Sequence, residues 1–99
     1  MVTAARATRA ALANAEIEEH ARLARQYLRL EQRAPKEWRD VAGVNTYSLR
    51  LTADELAGLV KALDAAIRPY IGLTRADPPE DAQPVHLDLK AFLRPEALT

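Results

Sequence analysis

Residues 3–33 contain neither proline nor glycine, and Ala, Leu, Arg, Glu and Gln, all strong helix formers, dominate them. The stretch predicts one helix of about 30 residues, about 45 Å long. A compact domain of 99 residues has a radius of gyration of about 13 Å. Such a rod runs past the body of its own domain, and whatever is apolar on its projecting part needs cover from outside.

The pattern along that helix names the part to be covered. Ala10, Ala13, Ile17, His20, Ala24 and Tyr27 recur at alternating intervals of three and four, as the seam of a helix pair does. Ala21 and Leu28 widen the stripe on one side, and Leu23 and Leu30 lie toward the other. The expected dimerisation seam is therefore Ala10, Ala13, Ile17, His20, Ala24, Tyr27 and Leu28, with small residues in its first half that let a second helix approach closely. The opposite face carries Glu18, Arg22, Arg25 and Arg29, with Glu18 four residues before Arg22 in the favourable order.

Ala34-Pro35 ends the helix, because the residue before a proline is driven out of the α region. Residues 35–40, with Pro35 at the first position, read as a single helical turn, and Gly43 then releases the chain. Residues 44–51 read as a strand: Tyr47, Leu49 and Leu51 alternate with Thr46, Ser48 and Arg50. Thr52-Ala53-Asp54-Glu55 is a capping box, in which the Thr52 hydroxyl accepts from the Glu55 N–H and the Glu55 carboxylate accepts from the Thr52 N–H. The helix it opens runs to about Ile67, with Leu56, Leu59, Val60, Leu63 and Ile67 on one face. A loop rich in Pro, Asp and Glu follows over 72–84. Residues 85–93 read as the second strand, Val85, Leu87, Leu89, Ala91 and Leu93 facing one way and His86, Asp88 and Lys90 the other, with Phe92 on the polar side.

These elements predict an α+β fold: a long N-terminal helix over 1–34, then a strand-helix-strand domain over 35–99 whose two-stranded sheet packs on a helix. A two-stranded sheet is marginal alone and leaves both edges open. Dimerisation completes it, so the sheet edges and the long helix point to the same homodimer.

Composition narrows the chemistry. Fourteen basic and fourteen acidic side chains give a net charge of zero, without the basic excess of a dedicated nucleic-acid-binding domain. The absence of cysteine excludes disulfides and thiol chemistry and fits a reducing cytoplasm. No apolar run approaches the ~20 residues of a membrane span, so no membrane partner is expected. Arg outnumbers Lys 11 to 3, and there are 20 Ala, a bias of GC-rich bacterial coding sequences.

No catalytic, cofactor-binding or metal-binding set is expected. His20 lies in the helix seam with only Glu16 sharing its face, so a partly enclosed histidine is the plainer reading than a metal ligand. His86 stands near Asp88 and Lys90 with no nucleophile placed beside it. Arg22, Arg25, Arg29 and Arg33 could track phosphates, but Glu18 and Glu31 interrupt them and a solvated face is the plainer reading. Trp38, Tyr47, Tyr70 and Phe92 are the candidate pocket or interface residues, since aromatics anchor both.

The second half resembles a known family. Trp38 after a helix end, a short strand, Leu51-Thr52-Ala53-Asp54-Glu55-Leu56 opening a helix, the Pro-Asp-Glu loop, then Pro84-Val85-His86-Leu87 with Ala91-Phe92 and Pro95, is similar to the C-terminal region of bacterial ArsR-like winged helix-turn-helix transcriptional regulators. The resemblance covers residues 35–95 of 99. It implies a dimerisation, and effector-sensing, region that reaches DNA only through a domain absent from this chain, with the long helix as the link. It assigns no residue to an effector. The rival reading is a stand-alone small dimeric ligand-binding or partner-binding α+β protein, with its pocket lined by Trp38, Tyr47, Tyr70 and Phe92.

Overall fold

The computed structural model describes residues 2–43 and 45–99. The first helix, α1, spans Val2–Leu30, 29 residues without a break, and a 3-10 turn over Glu31–Arg33 tightens its end. Arg29 in the last turn suits the negative end of the helix dipole. Ala34 then takes an extended conformation (φ −74°, ψ 141°), as its place before Pro35 requires. The short α2, Lys36–Val41, begins one residue after Pro35. The Pro35 carbonyl accepts from the N–H groups of Trp38 and Arg39, both at 3.0 Å, so the proline stands at the cap rather than inside the first turn.

The third helix, α3, spans Ala53–Ile67, and its start is the one the sequence predicts. The Glu55 N–H donates to the Thr52 Oγ1 at 3.1 Å, and the Thr52 N–H donates to the Glu55 carboxylate at 2.9 Å. The Thr52 backbone N–H, and after it the Thr52 side chain, hold the Glu55 carboxyl below the ordinary glutamate range. At the far end Arg68 bonds Asp64 at 2.6 Å, and Pro69 turns the chain into a 3-10 segment, Arg68–Tyr70. A last 3-10 turn covers Pro95–Leu98. The chain divides into two units, Met1–Thr46 and Tyr47–Thr99, the first holding α1 and α2 and the second α3.

Helix is the only regular secondary structure among the described residues, and this overturns the expected α+β class. Residues 45–51 and 85–93 carry no ladder, and Val44, the first residue of the expected first strand, lies outside the described residues. The alternation over both segments is real, but alternation decides which side chains share a face, not whether a backbone has a neighbour to bond. Two strands separated by a helix and a long loop are joined by no hairpin turn, and two strands are marginal even when paired. Their apolar sides gain no cover either: Tyr47, Leu49, Val85, Leu87 and Leu89 are all more than half exposed. The expected sheet edges thus offer nothing to a second copy, and the case for pairing passes to the helices.

No described residue is buried. In the first unit His20, Ala21, Leu23, Glu31, Ala34 and Trp38 are half-buried; in the second, Leu56, Ile67 and Arg75 are. The α3 stripe forms as a stripe without becoming a core, since Leu59, Val60 and Leu63 remain exposed. Among the described residues the 48% hydrophobic content thus supplies no fully buried side chain within either unit.

Candidate interaction surface

The seven predicted seam residues all lie on α1. Ile17, Tyr27 and Leu28 keep 46%, 38% and 54% of their surface; Ala10, Ala13 and Ala24 are exposed, and His20 is half-buried. The stripe is therefore formed and open, with short side chains toward the start of the helix and long ones toward its end. Its register follows from the absence of any kink: without Pro, Gly or a bulge, residues three and four apart stay on one face for the whole length.

The other side of α1 carries the charge. Arg22 grips Glu19 with two hydrogen bonds, Nε at 2.9 Å and Nη2 at 2.7 Å, and its Nη1 donates to the Gln26 side chain at 3.3 Å. Its partner is thus Glu19, three residues back, rather than Glu18 at four. The bidentate bond holds the Glu19 carboxyl below its ordinary range and raises the Arg22 guanidinium above its own. Arg22 is thus engaged within its own helix, and Arg25 and Arg29 on the same face are exposed.

The four aromatic candidates do not share a unit. Trp38 sits on α2 in the first unit, half-buried, while Tyr47, Tyr70 and Phe92 belong to the second, where all three are exposed. Tyr70 has the Arg75 guanidinium 5.4 Å from its ring centre, a cation–π contact that half-buries the arginine. On the segment carrying His86, Lys90 makes an ion pair with Asp88.

A surface that the seam analysis passed over lies on α3. Ala53, Leu56, Ala57 and Val60 line a shallow apolar groove rimmed by Lys61 and Asp64. It continues the Leu56–Ile67 stripe around one flank of the helix. Its signal was legible: Ala53, Ala57, Val60 and Asp64 follow one another at four, three and four, and the two alanines leave the depression between longer neighbours. Among the described residues no helix is long and apolar enough to cross a membrane, so these faces are not spans. No protein-family model, no curated protein and no solved structure matches this chain.

Proposed function

We propose that the chain works by self-pairing through α1, as the C-terminal dimerisation region of a bacterial transcriptional regulator. One observation carries the pairing: a 29-residue helix presents an apolar stripe on which Ala10, Ala13, Ile17, Ala24, Tyr27 and Leu28 stay exposed. Exposed apolar area of this length costs free energy in water, about 25 cal/mol per Å², and a second identical stripe removes it at no cost in polar groups left unpaired. The regulator half of the reading is supported by the motif likeness over residues 35–95 alone.

The mechanism is positional. Two paired α1 helices fix the separation of whatever domains they carry, and half-site spacing on DNA follows protein symmetry. An effector that alters the pairing alters the fit to the operator. No chemistry is assigned to the chain itself.

Sedimentation equilibrium at micromolar concentration tests the pairing, with a dimer as the expected result. A monomer with α1 fully helical by circular dichroism refutes it. The regulator half is tested by fusing the chain behind a monomeric helix-turn-helix reader and comparing operators with one and two half-sites. Tighter binding to two half-sites is expected; equal binding refutes the positional role.

A further inference from the structure

We draw no further inference here: the strongest candidate, the shallow apolar groove on α3 lined by Ala53, Leu56, Ala57 and Val60, is an open face, and nothing in the structure shows what covers it.

Discussion

Ile17→Ala has opposite effects on the helix and on the dimer, which makes it the sharpest single perturbation of the seam. Within an isolated helix alanine is the better residue, by a few tenths of a kcal/mol over isoleucine, so the substitution favours α1 in the monomer. In the pair it removes a side chain that still exposes 46% of its surface in the single chain. Burying a whole isoleucine side chain contributes about 1.5–3 kcal/mol; burying the remaining half contributes about 1 kcal/mol per copy. The two-fold doubles this to about 2 kcal/mol per dimer, a rise of about 30-fold in the dissociation constant. Sedimentation equilibrium across a concentration series gives that constant, and circular dichroism well below it gives the helix content of the monomer. Weaker association with equal or greater helicity is the expected pair of results. Unchanged or tighter association refutes the seam, because a gain of a few tenths of a kcal/mol per helix in propensity cannot offset a loss of about 2 kcal/mol per dimer.

Three further outcomes follow from the local structure. Arg22→Ala should leave the dimer constant unchanged, since the guanidinium faces away from the seam and is bonded to Glu19 and Gln26; a change would place the charged face in the contact. Thr52→Ala removes the cap of α3 and should destabilise that helix by about 1 kcal/mol, read as faster amide exchange at residues 53–56 than at 60–67. The Glu55 carboxyl is held below its ordinary range by its bonds to Thr52, so its contribution is complete above the unfolded glutamate value of about 4.3 and is lost as the pH falls through the lower folded value. The protection of amides at the start of α3, measured against the exchange rate of the unfolded chain at the same pH, should therefore fall on acidification from about pH 5 to pH 3, and Glu55→Gln should flatten that dependence.

What was legible in the sequence is what is decided locally. The absence of Pro and Gly over residues 3–33 gave α1; Ala34-Pro35 gave its end; Thr52 and Glu55 gave the start of α3 to the residue, because a capping box closes within four positions. That Ala10, Ala13, Ile17, His20, Ala24, Tyr27 and Leu28 share one face was equally legible, since a kink-free helix turns spacing directly into a face. The choice of Glu19 over Glu18 as the partner of Arg22 was not, because both spacings are within reach on a helix surface and side-chain geometry alone separates them.

The sheet failed for a different physical reason. A strand is defined by its neighbour, and nothing in Tyr47-Ser48-Leu49-Arg50-Leu51 or in Val85-His86-Leu87-Asp88-Leu89 says where that neighbour is. The same gap explains the missing core. Truncating a buried leucine to alanine costs about 2–5 kcal/mol, but Leu59 and Leu63 are exposed. In a single chain their truncation costs much less. If α1 pairs as proposed, stability and association are linked by mass action, and a residue such as Ile17 acts on folding through the partner concentration. That linkage would make the pairing usable as a switch, because a perturbation of a few kcal/mol at the α1 seam changes the fraction of chains paired.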